Sequence, residues 1–202
     1  MNFVGTRDQN GLNTGILYLR VSSWSVSFLV DTIALSHTET DLGRSADQEA
    51  MERVLARTQG GPRGQGYGDG VVFIPRTWIN AYEWHHAYEG SRGDMLVHFP
   101  GLEEARWKHM ADWLDVIETS PERWECPLED TIYRNITLEF WQEYGSAFSL
   151  VQDTERLYGT EKLDYNVKQA IRNLKASLTL EADDINKVRK ARLELYKQRS
   201  MR

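Results

Sequence analysis

The chain has 202 residues, of which 41% are hydrophobic and 27% charged, enough for one ordinary domain with an extension and too apolar for wholesale disorder. A formal net charge of −6 argues against nucleic acid as a main partner, and the single Cys126 excludes an intramolecular disulfide or a cysteine-based zinc site. No window reaches the roughly 18 apolar residues that span a bilayer, because Val26 to Leu35 is broken by Ser27, Asp31 and Thr32.

The N-terminus, Met1 to Gly5, lacks the basic-then-apolar pattern of a secretory signal. Gly15 to Val21 reads as a strand too apolar on both faces for a solvated edge. Ser22 or Ser23 caps a helix from Trp24 to about Leu35. A second helix begins at Ser45, where Ser45 and Gln48 have capping-box spacing and acidic residues suit the helix dipole. The glycine-rich stretch from Gln59 to Gly70 is a loop; no Lys-Ser or Lys-Thr follows it, as a phosphate loop requires. Val71 to Ile74 is a short buried strand stopped by Pro75. The aromatic segment Thr77 to Trp84 suits a loop or short strand lining a pocket. Asp94 to Phe99 is another strand, ended by Pro100-Gly101, and a helix runs from Leu102 to about Ile117. This alternation predicts an α/β domain over residues 1–120.

Beyond Ser120-Pro121 the pattern is helical: Leu128 to Tyr158, Lys162 to Leu178 and Asp183 to Tyr196, with a break at Gly159. Leu163, Val167, Ile171, Leu174 and Leu178 recur at three- and four-residue steps and form one apolar stripe. Residues 121–202 therefore read as an α-helical extension that packs on the domain or on a partner. Asn135-Ile136-Thr137 is a glycosylation sequon, placed on a helix.

Three constellations could carry chemistry. Leu12-Asn13-Thr14-Gly15 supplies amide and hydroxyl hydrogen bonds beside a glycine that permits close approach, although a plain turn would look the same. Asp47 and Gln48 at a helix start are able to bind sugar hydroxyls or flank a reacting carbon, although capping alone explains them. His98, at the end of a buried strand and three residues before Gly101, suits a metal ligand, although a lone His more often has a structural role. His85 and His86 are adjacent, so their side chains diverge and a shared ion is disfavoured. The seven Trp and nine Tyr serve first as core anchors, though flat aromatic faces also stack on pyranose rings.

Taken in order, Leu12-Asn13-Thr14-Gly15, Arg20, Trp24-Ser25, Ala46-Asp47-Gln48, Pro75, Trp78-Ile79-Asn80-Ala81-Tyr82, Gly93-Asp94 and Val97-His98-Phe99-Pro100-Gly101 resemble glycosyltransferase family 34. That family includes fungal Golgi α-1,2-galactosyltransferases and α-1,6-mannosyltransferase subunits, and plant xyloglucan xylosyltransferases. The likeness runs from about Asp8 to Trp113 and is nearest the fungal branch.

The resemblance implies the acceptor-side half of a GT-A fold, a UDP- or GDP-sugar donor, a glycan acceptor, Mn²⁺, and transfer with retention of configuration. It places the metal role on His98 and sets Gly101 beside the diphosphate. Asn13, Thr14 and Gly15, with Asn80 and Tyr82, would bind substrate, and Asp47 and Gln48 would flank the reacting centre. It also implies a Golgi lumenal setting, with the membrane anchor and donor-nucleotide half N-terminal to the matching segment. Two departures stand out. The chain has no Asp-x-Asp, which the family supplies to its metal, and it has Glu103 where plant members carry a phosphate-neutralising Lys. The expectation is a transferase fragment inactive by itself, the alternative being a non-catalytic, degenerate transferase domain that binds a partner subunit.

Overall fold

The computed structural model describes every residue except Arg44, Pro62, Arg63, Gln65, 159–162 and Arg202. The expected break at Gly159, the helix start at Lys162 and part of the glycine-rich loop lie outside the described residues. The chain forms two compact units, Met1–Ile74 with Phe140–Arg202, and Pro75–Glu139. Mixed strands and helices bear out the α/β class.

The first unit is built on strands β1 (Phe3–Asp8), β2 (Gly11–Leu19) and β3 (Val71–Phe73), in the order β2-β1-β3. β1 runs antiparallel to β2 and parallel to β3. A tight turn at Gln9-Asn10 joins the first two strands. Asp8 Oδ1 accepts the Asn10 N–H at 2.7 Å, and Gly11 takes φ +105°, a conformation that favours glycine.

This hairpin corrects the expected strand. Its ladder pairs Arg7 with Leu12 and Thr6 with Asn13, so the strand begins four residues before Gly15 and contains Asn13 and Thr14. Nor is it buried on both faces. β2 is an edge strand, Tyr18 is half-exposed, and Val21 lies beyond the strand in full contact with solvent.

Two helices follow, α1 (Ser23–Thr38) and α2 (Ala46–Leu55). Ser22 caps α1 by accepting the Ser25 N–H. α1 directs Phe28 and Leu35 inward, α2 directs Ala50 and Val54, and these meet Phe3, Leu12, Tyr67 and Phe73 in one core. Edge-to-face rings order its centre, with Phe3 5.9 Å from Phe28 and 6.1 Å from Phe73. Trp24 stacks on Phe28, and a Cβ on Gly70 would come within 2.9 Å of its indole.

The C-terminal helices complete this unit instead of standing apart. Helix α4 (Tyr133–Tyr158) starts within the second unit and continues into the first. It is followed by α5 (Tyr165–Leu180), capped by Asp164 at 2.9 Å from the Val167 N–H, and by α6 (Ile185–Ser200). The expected stripe is buried, from Leu163 through Val167, Ile171 and Leu174 to Leu178, as α5 packs on β3 and α6. Burying such side chains contributes roughly 1.5–3 kcal/mol each. This packing is why the compact units do not coincide with the expected division at residue 120.

The second unit is mostly irregular. It holds the parallel pair β4 (Ala81–Tyr82) and β5 (Val97–His98), with Ala81 opposite Val97 and Tyr82 opposite His98, and the helix α3 (Arg106–Thr119). The strand expected over Asp94 to Phe99 is thus reduced to two residues. Asp94 closes a turn by accepting the Ser91 N–H at 2.6 Å, and Gly93 adopts φ +86°, so the chain cannot be extended there. No helix is long and apolar enough to cross a membrane among the described residues.

Candidate functional site

In the first unit the structure brings together Asn13 and Thr14 with Asp47 and Gln48. β2 presents Thr14 to the start of α2. The Thr14 N–H donates to Gln48 Oε1 at 3.0 Å, and its hydroxyl donates to Asp47 Oδ2 at 2.9 Å and to Gln48 Oε1 at 3.3 Å. The expected capping box at Ser45 and Gln48 is therefore not made. Ser45 forms no side-chain cap bond, and the Gln48 carboxamide serves the strand. Asp47 is exposed and Gln48 half-buried, at a helix N-terminus whose dipole favours negative charge.

Asn13 is buried and held at both ends of its amide. Its Nδ2 donates to Asp8 Oδ2 at 3.0 Å, and its Oδ1 accepts the Gly15 N–H at 2.8 Å. Gly15 itself is exposed. Asp8 is a residue that sequence reasoning missed. Its signal was the Asp-x-Asn-Gly turn, in which one carboxylate oxygen holds the turn and the other holds Asn13.

His98, Asn80 and Tyr82 belong to the second unit. The strand is half-buried, in place of the expected buried strand, and the imidazole at its end is half-buried as well. Its Nδ1 bonds Asn80 Oδ1, and Asn80 is fully buried. An amide oxygen only accepts, so the His98 ring donates to it from Nδ1. Metal-ligating histidines are held in this way, with the second nitrogen donating to an oxygen. The ring also meets Tyr82 edge to face at 5.1 Å. Tyr82 is fixed from behind, with Arg76 3.8 Å above its ring and Glu89 both accepting the Tyr82 N–H at 2.7 Å and pairing with Arg76. Gly101 takes φ +64°, and a Cβ there would meet nothing within 4 Å. Conformation, not crowding, is what calls for glycine at that position.

Other residues of the resemblance have structural work. Asp94 is buried and accepts from the Tyr88 hydroxyl at 2.8 Å, from the Ser91 amide and from the Tyr133 hydroxyl. Burial, then these bonds, raises the Tyr88 and Tyr133 phenols well above the usual tyrosine range. A Cβ on Gly93 would press on Cys126 and Thr131 at 3.0 Å. The rings of His85 and His86 are tilted and 6.2 Å apart. Among the described residues no group of three or more His, Cys, Asp or Glu side chains is arranged to hold a metal ion.

Compared with known proteins, residues 1–109 match the galactosyl transferase GMA12/MNN10 family. No curated protein and no solved structure matches the chain.

Proposed function

The chain belongs to the galactosyl transferase GMA12/MNN10 family, and we propose that it serves retaining transfer of a hexose, galactose or mannose, from a UDP- or GDP-sugar to a glycan. The family's chemistry calls for a nucleotide-sugar donor and a glycan acceptor. The observation that carries the reading is the convergence of Thr14 on Asp47 and Gln48, which joins two separate family motifs in one cluster of sugar-binding groups.

Each side chain then has a task. Gln48 spends its oxygen on Thr14, so it faces a ligand as a donor through Nε2, suited to a sugar hydroxyl or a departing phosphate oxygen. Asp47 is exposed and accepts from sugar hydroxyls, oriented by Thr14. Asn13 is locked between Asp8 and Gly15 and shapes the backbone on which the donor sugar rests. In the second unit Tyr82 and Asn80 position His98.

His98, donating from Nδ1 to Asn80, is held as metal-ligating histidines are and would serve Mn²⁺ as one member of its shell. When bound, the ion would offset charge on the departing diphosphate. One imidazole does not make a manganese site, and the sequence has no Asp-x-Asp to add carboxylates. The partner this reading calls for is a transferase segment or subunit that supplies them, in the Golgi lumen. The 202-residue chain alone is then inactive and binds donor only in the millimolar range, about −4 kcal/mol.

Saturation-transfer NMR with UDP-galactose and GDP-mannose tests the reading. Saturation should reach the hexose protons of one donor in the wild type and fall away in Gln48→Ala and Asp47→Ala. Hexose protons that stay dark with both donors in the wild type would overturn it.

A further inference from the structure

The second unit contains a cleft of about 540 Å³ on which the proposed transfer site makes no call. One wall is aromatic, formed by Tyr88, Trp113 of α3 and Trp124. Trp113 and Trp124 meet edge to face with ring centroids 4.8 Å apart, and Tyr88 lies 5.1 Å from the first and 5.7 Å from the second. All three rings are half-buried, and the Tyr88 hydroxyl is anchored on Asp94. The trio is a braced platform, preorganised before any ligand arrives.

The facing wall is polar. His109 pairs with Glu83 at 2.9 Å, with His85 and His86 beside them. The formal charges cancel, since Glu83 and Asp112 balance Arg92 and Arg123. Arg92 is moreover engaged with the Glu125 carbonyl through two N–H groups, at 2.7 and 3.1 Å. A cleft of this kind has little attraction for a phosphate or a nucleotide. Its volume falls within the roughly 300–1,000 Å³ of small-molecule sites. Neutral sugars have the matching character, an apolar C–H face for an aromatic ring and hydroxyl edges that both donate and accept.

We infer that this cleft is a subsite for neutral oligosaccharide, holding acceptor sugars away from the reacting hydroxyl. The Glu83 N–H donates to the His98 carbonyl at 2.7 Å, so the cleft backs onto the strand pair that carries His98. Side chains alternate along a strand, so Glu83 lies on the opposite face from Tyr82. The subsite is thus separate from the His98 cluster while sharing its backbone. Trp113 and Trp124 lie beyond residues 1–109, the span matched to the family, whereas Glu83, His85, His86, Tyr88 and His109 lie within it. Contacts remote from the reacting atoms are a recognised means of binding and aligning a polymeric substrate. The inference rests on the transferase reading only for calling the sugar an acceptor.

The test is an NMR titration of the tryptophan indole N–H signals with mannotriose, cellotriose and galactobiose, without Mn²⁺ or nucleotide. Trp113 and Trp124 should shift and saturate at millimolar sugar with at least one probe, while the exposed Trp107, outside the cleft, stays in place. Trp124→Ala should weaken binding roughly tenfold. Because that change touches the platform itself, His86→Ala, on an exposed loop, should weaken binding severalfold with the melting curve unchanged. Stationary Trp113 and Trp124 signals with all three sugars would overturn the inference, as would undiminished affinity in both variants. The titration reads no donor, so its failure and that of the Gln48 experiment are separate results.

Discussion

The two clusters of family residues are held by opposite means. In the first unit Asp47 and Gln48 stand at the surface, joined to the scaffold through Thr14, while the core of Phe3, Phe28, Tyr67 and Phe73 lies elsewhere. In the second unit polar groups belong to the interior, beside Ile79, Ala81, Tyr82 and Leu102. Asn80 and Asp94 are buried, and on them depend His98, Tyr88 and Tyr133. Chemistry and stability should therefore separate under mutation in the first unit and fall together in the second.

The largest effect is expected at Asp94. Asp94→Ala removes the acceptor of the Ser91 amide and leaves the two phenols only the longer bonds to the Leu96 and Thr77 carbonyls, and should destabilise the second unit by about 3 kcal/mol, read by urea unfolding. A loss comparable to that of a surface residue would break the comparison.

Alkaline titration probes this network together with two tyrosines of the first unit. Tyr88, Tyr133 and Tyr67 have phenols raised mainly by burial, and burial pushes Tyr144 up to about 12. The unfolded chain loses these protons near pH 10 and the folded chain only above it. The folded state then holds more protons, and stability must fall as pH rises past about 10. Phenolate absorbance should show the exposed tyrosines ionising first and these four appearing together with unfolding. Smooth ionisation of every tyrosine ahead of unfolding would contradict their burial.

Asn80→Ala should cost about 1–3 kcal/mol, since it empties a buried site and removes the acceptor of His98 Nδ1. The ring nitrogen shifts of His98 should change in the same variant. Unchanged nitrogen shifts would mean that Asn80 does not set the tautomer.

The smallest effect is expected at Asp47. Asp47→Ala should move stability by less than about 1 kcal/mol, because the carboxylate is exposed and its bond to Thr14 sits in water. A larger loss in thermal unfolding would show that the first cluster, too, is structural.

Much of this was legible in the residues. The helix start at Ser22 or Ser23 and the stripe from Leu163 to Leu178 follow from local rules of capping and periodicity, and the structure bears out both, with Ser22 as the cap. The order of the motifs pointed to the family. What escaped depends on partners distant in sequence. β1 is short, with an irregular pairing register between Val4 and Thr6, and carries no clean alternation. Gln48 had a sufficient local explanation as a cap, and only the neighbouring strand diverts it to Thr14. Nothing near Asp94 announces that Tyr133, 39 residues away, donates to it. The apolar stripe of α5 likewise revealed that it packs, but not that β3 is what it packs against.

In the proposed function His98 is a metal ligand held by Asn80, and Mn²⁺ itself measures that role. The ion broadens nearby nuclei even when bound weakly, so an incomplete site is no obstacle. Titrating the 202-residue chain with Mn²⁺ in the presence of UDP or GDP should broaden the His98 imidazole signals first, and Asn80→Ala should diminish the effect. Broadening of His85 and His86 ahead of an unperturbed His98 would contradict the account.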